Sequence, residues 1–410
     1  MKGSDLRLWK RLSRFVSERS VLRQHQYPSR TNTVKAICYM ALLTPIAIGI
    51  LPFFRIRAWT RGPLRTYVLA TESEFGPFVQ LMEFVRGVLP HGEKNQVILV
   101  LSRHRHALCD VYQSELNCRV VSGSGISRML QQVLLLQPDQ SVCIHRLTYG
   151  EITNRPLEPM ETPKELNFLR MSLETQLGLL TNQYVAFAVH TLQYDIENNP
   201  QYLSKELSLE SIGSELAPAV DELQAREGGI VLLGSPDTGR STISRTFPRL
   251  TNFAKLGGLE EVALASGCKY FWTDNVGAWW LTAPFNKRVL YTNLSRIRFR
   301  ALPFPDGSIF LPVRFQTPSG HDLVFSELFR FSTSPYKLVS RGELKMARNS
   351  PAEICEAHRE MIARVDGYWV ETDRDRELQE RVSRINAKYP GSHQLQLASV
   401  FLNKYSHLLE

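Results

Sequence analysis

The chain is poor in cysteine, and it contains no internal repeat and no low-complexity tract. Six cysteines among 410 residues, none of them in a Cys-x-x-Cys pair, are too few for a disulfide-stapled scaffold and favour a reducing compartment. A composition of 43% hydrophobic and 22% charged residues excludes a disordered or collagen-like chain. A chain of this length predicts two or three domains.

The body of the chain also lacks a surplus of positive charge. The formal net charge is +9, but residues 1–65 hold 13 of the 49 Lys and Arg and only 2 of the 40 Asp and Glu. Residues 66–410 therefore carry slightly more acidic than basic side chains. The basicity belongs to an N-terminal arm, and no nucleic-acid partner is predicted.

The arm combines two patterns that are typical of membrane association. Apolar residues recur at helical spacing between basic ones in residues 4–23, and residues 36–54 contain no charge. A straight helix over residues 36–54 would span about 28 Å, barely a bilayer. Pro45, Gly49 and Pro52 argue against one straight helix, so shallow insertion is favoured over a crossing. Residues 1–54 are predicted to bind an anionic membrane surface.

From Leu64 onward, short β-type runs alternate with helical stretches. The predicted strands cover residues 65–71, 96–101, 119–121, 141–145, 184–189, 229–233, 269–272 and 288–291. The predicted helices cover residues 78–88, 126–136, 216–226, 259–265, 352–365 and 374–409, the last broken at Pro390. This alternation predicts an α/β fold with largely parallel sheets. Residues 150–165 contain three prolines and many polar groups, which is typical of a linker. We therefore expect one domain over residues 55–165, a second over residues 166–373 and a helical tail over residues 374–410.

One stretch has the spacing of a phosphate-binding P-loop. Residues 234–241 read Gly-Ser-Pro-Asp-Thr-Gly-Arg-Ser directly after a predicted strand, and Asp274 ends another strand as a magnesium-holding carboxylate would. However, Arg240 replaces the lysine, and Pro248 interrupts the helix that should follow. A Gly-rich turn is the preferred interpretation, with a P-loop as the alternative.

Two stretches that contain histidine give only a weak indication of a metal or catalytic site. His104 and His106 lie near Cys109 and Cys118, but their spacing matches no zinc pattern, and no metal site is predicted. His190 ends the apolar stretch of residues 184–189, where an isolated histidine is usually structural. His190 becomes a candidate site residue only through the family resemblance described next.

Several stretches, taken in order, resemble a sporadically distributed family of bacterial glycosyltransferases of the GT-B type. The resemblance covers about residues 55–370. The stretches that carry it are Arg65 through Glu74, with matches at Arg65, Glu72 and Glu74; residues 184–190, Tyr-Val-Ala-Phe-Ala-Val-His; residues 261–272 with the turn at 273–277; residues 289–293, 309–312 and 325–327; and residues 349–354 followed by Glu360-Met361.

The resemblance implies two Rossmann-like domains that face each other across a cleft. The first would bind a saccharide or lipid-linked acceptor, and the second a nucleotide-activated sugar, with neither metal nor other cofactor. Such an enzyme would act in surface-polysaccharide or glycolipid synthesis at the cytoplasmic face of the inner membrane. The implied catalytic residues are Glu72, Glu74 and His190. The implied donor-binding residues are Gly234, Ser235, Arg240, Asp274, Asn275, Gly277 and Asn293.

Departures from the family pattern leave a second hypothesis open. Thr191 and Leu232 stand where basic residues are expected, and residues 256–258 read Leu-Gly-Gly instead of Arg-Ser-Asp. A charge-assisted contact to phosphate contributes about 1.5–3 kcal/mol, so losing two would weaken donor binding a hundredfold or more. Arg240 or Arg245 could compensate from the next loop. Otherwise the chain is a non-catalytic relative that uses the fold for interaction.

Overall fold

The computed structural model describes residues 66–70, 79, 83, 97–101, 108, 111–112, 119–122, 142–144, 159–189, 209–226, 228–233, 247, 258–274, 277–295, 304–328, 335–388 and 395–410. The chain divides into two compact units. The first comprises residues 1–74, 90–105 and 112–146, and the second comprises residues 75–89, 106–111 and 147–410. The predicted domain boundaries at 55, 166 and 374 remain predictions.

The first unit contains a four-stranded parallel sheet. Its strands are β1 (Thr66–Ala70), β2 (Val97–Leu101), β3 (Arg119–Ser122) and β4 (Val142–Ile144), in the order β3-β2-β1-β4. Tyr67 is in register with Val97 on one side and Cys143 on the other. All four strands confirm the strands that the sequence predicts in this region.

The second unit contains a five-stranded parallel sheet. Its strands are β5 (Val185–Val189), β6 (Ile230–Leu232), β7 (Tyr270–Asp274), β8 (Val289–Leu294) and β9 (Ile309–Pro312), in the order β6-β5-β7-β8-β9. Every residue of β7 and β8 is buried. Near-continuous apolar runs are expected in such strands because helices cover both faces of a parallel sheet. Two short antiparallel strands, β10 (Arg314–Gln316) and β11 (Lys345–Ala347), form a separate ribbon.

The helices of the second unit that the structure describes over their full length lie from residue 164 onward. They are α1 (Lys164–Leu177), α2 (Leu209–Gln224), α3 (Leu259–Gly267), α4 (Phe325–Leu328), α5 (Pro335–Ser340), α6 (Pro351–Val365), α7 (Asp373–Ala387) and α8 (Ser399–Lys404). Short 3-10 turns cover Gly277–Leu281, Ala283–Phe285 and Ser406–Leu408.

The crossover helices lie on opposite faces of this sheet. The chain moves from β5 outward to β6 through α2, and then back past β5 to β7 through α3. Because parallel crossovers are right-handed, reversing the direction of travel places the second helix on the other face. Accordingly, α2 packs with α6, whereas α3 packs with α1. The core between them contains Trp272, whose ring stacks on Phe187 at 3.9 Å between centroids.

The C-terminal helices pack into the second unit. Leu397 forms a bridge with Phe310 of β9, and the backbone N–H of Ser399 donates to Glu360 of α6 at 2.7 Å. Gln379 of α7 accepts from the N–H of Leu397 at 3.0 Å. These hydrogen bonds therefore join the C-terminal segment to the sheet and to α6.

The described part of the chain contains no helix that is long and apolar enough to cross a membrane. The arm predicted to associate with a membrane, residues 1–54, lies outside the described residues.

We expect Gly228→Ala to destabilise the protein by about 2 kcal/mol through steric overlap. Gly228 lies in the turn between α2 and β6, and a Cβ there would overlap the backbone carbonyl of Gln183, next to β5. Backbone cannot rotate aside as a flexible side chain can, so the turn or the strand must shift. Urea unfolding of the variant measures the loss.

Gly320→Ala is the matched control for this prediction. Gly320 has a positive φ of 91°, but a Cβ there meets nothing within 4 Å. Its substitution tests backbone conformation without overlap and should cost about 1 kcal/mol. Equal losses in the two variants would contradict the steric explanation.

Candidate functional site

The strand order of the second unit marks where a ligand can bind. The order reverses between β5 and β7, because the chain leaves β5 in one direction and returns in the other. In open α/β sheets, ligands bind outside the carboxyl ends of the strands at such a switch point. Val189 and Asp274 end the two strands that flank it. The candidate site is therefore this carboxyl edge.

Asp274 is the centre of a buried polar network at that edge. Its side chain is completely buried, and its Oδ1 accepts from the hydroxyl of Thr292 at 2.9 Å and from Nδ2 of Asn293 at 2.6 Å. Its Oδ2 accepts from Nη2 of Arg348 at 2.9 Å. Thr292 in turn accepts from the indole N–H of Trp272 at 3.0 Å. Asp274 thus joins the ends of β7 and β8 to the segment between β11 and α6.

Arg348 links this network to the crossover helix that follows β5. Its Nε donates to Oε2 of Glu215 in α2 at 2.6 Å, while its Nη2 holds Asp274. The Arg348 side chain is 11% exposed and the Glu215 side chain 26% exposed. The guanidinium of Arg348 therefore links α2 and β7 to the start of α6 through hydrogen bonds.

The pKa values of both members of this ion pair are raised, but for different reasons. Burial alone would lower the pKa of Arg348, but Asp274 and Glu215 outweigh it and hold that pKa above its usual value. Burial raises the pKa of Glu215, and the attraction of Arg348 offsets only part of that rise. Arg348 is therefore a permanent cation, and Glu215 is the member of the pair closer to neutralisation.

Two asparagines fix the backbone at the same edge. The backbone N–H of Asn293 donates to Oδ1 of Asn349 at 2.9 Å, and the N–H of Asn349 donates to Oδ1 of Asn293 at 2.8 Å. Asn293 has a positive φ of 50°, a conformation that asparagine tolerates better than most residues. It lies where the register between β8 and β9 shifts. The reciprocal amide bonds hold this irregular end of β8 in place.

Arg348 and Asn349 lie in the short segment between β11 and α6. Ser350 caps α6 by accepting from the N–H of Glu353, whose carboxylate accepts in return from the N–H of Ser350 at 2.6 Å. Pro351 occupies the first turn, where its missing N–H costs nothing. The capping box thus fixes the approach of Arg348 to the sheet edge.

The described residues include only part of the predicted site. Asp274 and Asn293 lie together, joined by a direct hydrogen bond, and Gly277 begins the 3-10 turn that follows β7. Seven predicted residues lie outside the described residues: Glu72, Glu74, His190, Gly234, Ser235, Arg240 and Asn275. Their roles remain predictions.

Sequence reasoning missed five members of the network. Thr292 and Trp272 lie within two residues of the predicted Asn293 and Asp274, whereas Glu215, Arg348 and Asn349 come from other parts of the chain. The motif Asn349-Ser-Pro contributed to the family resemblance as a helix start, but nothing in it signalled a contact with Asp274. Glu215 lies within α2 and far from Arg348 along the chain. No local spacing could have paired these residues.

The geometry of Asp274 counts against a magnesium role in the P-loop alternative. Both of its oxygens already accept hydrogen bonds, and one faces a permanent cation. No group of three or more His, Cys, Asp or Glu side chains that could hold a metal occurs among the residues for which the structure gives positions. The loop of residues 234–241 lies outside the described residues.

Comparison with protein-family models and with curated proteins gives no match. The solved structures that are similar over part of the chain include the following two. The glycosyl transferase family 9 protein from Veillonella parvula DSM 2008 shares 13% identity over 60% of this chain and 85% of its own, with a TM-score of 0.39. The E. coli ADP-heptose LPS heptosyltransferase II shares 13% identity over 67% of this chain and 97% of its own, with a TM-score of 0.40.

Proposed function

We propose that the chain is a glycosyltransferase that binds a nucleotide-activated sugar at the carboxyl edge of the second unit. The observation that carries the proposal is the reversal of strand order between β5 and β7, with Asp274 and Asn293 at that edge. The ordered sequence resemblance to GT-B glycosyltransferases includes both residues among the seven that it implies for donor binding. A switch point alone defines a ligand site and not a reaction, so the resemblance supplies the chemistry.

In this proposal Asp274 positions other residues and does not touch the donor itself. It is completely buried, so its contribution is to hold Asn293 and Arg348 at the sheet edge. Stabilisation of the leaving diphosphate falls to backbone amides and to basic side chains of the adjoining loops, where Arg240 is the candidate. Glu72, Glu74 and His190 are the candidates for the base that takes the acceptor proton.

The acceptor side of the proposal concerns the first unit and the N-terminal arm. The parallel sheet β3-β2-β1-β4 supports a second Rossmann-like domain, which in the GT-B layout would bind a saccharide or lipid-linked acceptor. The basic arm of residues 1–54 would bring the enzyme to an anionic membrane, at the cytoplasmic face of the inner membrane. In this arrangement membrane binding explains why the surplus of positive charge is confined to the N-terminal arm.

One observation favours a second candidate, a non-catalytic relative with the same fold. Asp274 is completely buried and both of its carboxylate oxygens accept from protein donors, as expected of a residue whose role is structural. Sugar transfer by the wild type that is lost in His190→Ala would exclude this candidate. Asp274→Ala is unsuitable for that test because it disturbs the fold.

We expect one nucleoside diphosphate to raise the melting temperature of the full-length protein. The panel consists of UDP, GDP, CMP, ADP and ATP with their common sugar conjugates. A ligand that binds only the native state stabilises it by about 2.7 kcal/mol at a hundred times its dissociation constant. A shift with one nucleoside diphosphate and its conjugates supports the transferase and identifies the base of the donor.

The same panel can overturn the proposal. A folded sample that responds to no nucleotide and no conjugate would leave the interaction module as the better account. A shift with ATP alone would favour the P-loop alternative. Inorganic pyrophosphate, measured beside the panel, controls for general anion binding.

A further inference from the structure

The end of helix α8 contacts the capping boxes of two other helices. In α6 the acidic residue of the box is Glu353, whose Oε1 accepts from the hydroxyl of Tyr405 at 2.5 Å and from Nζ of Lys404 at 2.6 Å. In α7 the corresponding residue is Asp375, whose Oδ1 accepts from Nδ2 of Asn403 at 2.9 Å. Three consecutive side chains at the end of α8 therefore support the first turns of both helices.

We propose that Tyr405 is a positioning residue of the candidate site, an inference that rests on the proposed function. Through Glu353 it supports the capping box of α6, and α6 begins directly after the segment that holds Arg348 and Asn349. A shift in the first turn of α6 would move both residues relative to the sheet edge. The last residues of the chain thus support ligand binding without contacting the ligand.

A continuous set of contacts joins Tyr405 to the end of β8. Glu353 uses Oε1 for Tyr405 and Oε2 for the backbone N–H of Ser350, at 2.6 Å. The residue before Ser350 is Asn349, which exchanges hydrogen bonds between backbone N–H and side-chain oxygen with Asn293. The path from Tyr405 to the candidate site therefore passes through one carboxylate and two adjoining residues.

Glu353 is suited to this role because it is a buried carboxylate that stays charged. Burial raises the pKa of Glu353, but the hydrogen bonds from Lys404, Tyr405 and Ser350 outweigh it and hold that pKa below its usual value. Hydrogen bonds to a charged acceptor are about twice as strong as those between neutral groups. A lost donor at this carboxylate should therefore be felt in the capping box.

Tyr405 is the better fixed of the two donors to Glu353. The Lys404 side chain is 53% exposed, so water competes with its ion pair, whereas Tyr405 is 9% exposed. The guanidinium of Arg314 lies 4.7 Å from the centroid of the Tyr405 ring, and the ring of Phe401 lies 5.2 Å away. Burial and the neighbouring Glu353 raise the pKa of Tyr405, so its hydroxyl keeps its proton and donates.

The test compares full-length wild type with Tyr405→Phe and Asn403→Ala. Tyr405→Phe keeps the ring and removes the hydroxyl that holds Glu353. Asn403→Ala is the matched control, because it removes a hydrogen bond between the same end of α8 and the same kind of capping box, but at α7. Circular dichroism establishes that each variant is folded.

Two measurements are made on each protein. Calorimetry with UDP, GDP, ADP and CMP gives nucleotide affinity. Hydrogen exchange without ligand, followed by mass spectrometry on peptides that contain Asn293 and Asn349, reports whether their reciprocal hydrogen bonds still hold. The second measurement does not depend on the identity of the ligand.

We expect Tyr405→Phe to bind the nucleotide about fivefold more weakly than wild type and to exchange faster at Asn293 and Asn349. Asn403→Ala should match wild type in both measurements. In a Glu353→Ala background, Tyr405→Phe should cause no further loss of affinity, because both residues act along one path. A purely structural role for Tyr405 would not produce this dependence on Glu353.

The inference would be overturned, with the proposed function intact, if Tyr405→Phe bound nucleotide and exchanged like wild type. Equal changes in Tyr405→Phe and Asn403→Ala would also overturn it, because α8 would then stabilise the fold as a whole. Wild type that binds none of the four nucleotides would end the proposed function and, with it, the role assigned to Tyr405.

Discussion

Asp274→Ala is expected to lower the free energy of unfolding by about 3–5 kcal/mol, because it removes the partner of a buried cation. Arg348 would keep Glu215 but lose the ion pair that holds its other side. Thr292 and Asn293, both fully buried, would each lose a hydrogen bond to Oδ1. Urea unfolding followed by tryptophan fluorescence measures the loss. Trp272 is a suitable probe because its indole N–H donates a hydrogen bond to Thr292 of the same network.

Asp322→Asn is the matched control for this prediction. Asp322 also pairs with an arginine, Arg314 at 3.0 Å, but its side chain is 20% exposed and that of Arg314 is 23% exposed. Because water reaches both partners, this pair should contribute less than the fully buried Asp274, about 1 kcal/mol. A loss in Asp274→Ala no larger than that of Asp322→Asn would show that the network does not stabilise the fold.

Asp274→Asn separates charge from shape at this site. Its amide oxygen can still accept from Thr292 and Asn293, but its amide nitrogen would face Nη2 of Arg348, so two donors would meet. We expect a loss of about 2–3 kcal/mol, because a buried donor left without an acceptor costs that much when one partner is charged. A loss below about 1 kcal/mol would mean that Arg348 finds another acceptor.

The strands were predictable because parallel strands buried on both faces have a strong sequence signal. The apolar runs at β1, β2 and β5 each fall within a predicted strand. The helix α1 gave no such signal. Leu166 and Leu173 face the core, but Phe168 is 73% exposed and Met171 is 53% exposed, which blurs the helical periodicity.

Helix boundaries were harder to predict than helix existence. The sequence predicts a helix from Leu216, but α2 begins at Leu209 and contains Pro218 in its interior. Proline removes a hydrogen bond from a helix and usually marks a boundary. Packing of α2 against α6 compensates for this loss, and no local pattern reveals such packing.

The candidate site was predictable only along single strands. Asp274 and Asn293 follow apolar runs, and the carboxyl ends of parallel strands meet at one edge of the sheet. Glu215 and Arg348 come from a helix and a loop that tertiary packing brings together. Their pairing depends on which helices share a face of the sheet, and this information is absent from local sequence.

Outside the network, His358 is a buried titratable group that should make stability depend on pH. It lies on α6, where its Nδ1 is 2.8 Å from the hydroxyl of Tyr270 and its ring meets that of Trp272 edge to face, at 4.2 Å between centroids. Its Nε2 is sealed and has no partner among the described residues. An added proton would therefore be buried without an acceptor.

We expect this histidine to destabilise the protein as the pH falls from neutrality. Burial, aided by the charge of Arg226, lowers the pKa of His358 from 6.5 to about 3. Between these values the unfolded chain binds a proton that the folded protein excludes, so the free energy of unfolding falls with the pH. The contribution is complete above about pH 6.5, and about 3 kcal/mol of it should be lost between pH 7 and pH 4.

The variant His358→Phe isolates this contribution, because phenylalanine keeps the aromatic packing on Trp272 and cannot bind a proton. It loses the hydrogen bond with Tyr270, so it should be less stable than wild type at pH 7. Its disadvantage should shrink as the pH is lowered, and its unfolding free energy should fall less steeply than that of wild type. His407→Gln, at a side chain that is 60% exposed, controls for the loss of a histidine as such. Parallel pH profiles for wild type and His358→Phe would mean that the imidazole reaches a proton acceptor or water when it is charged.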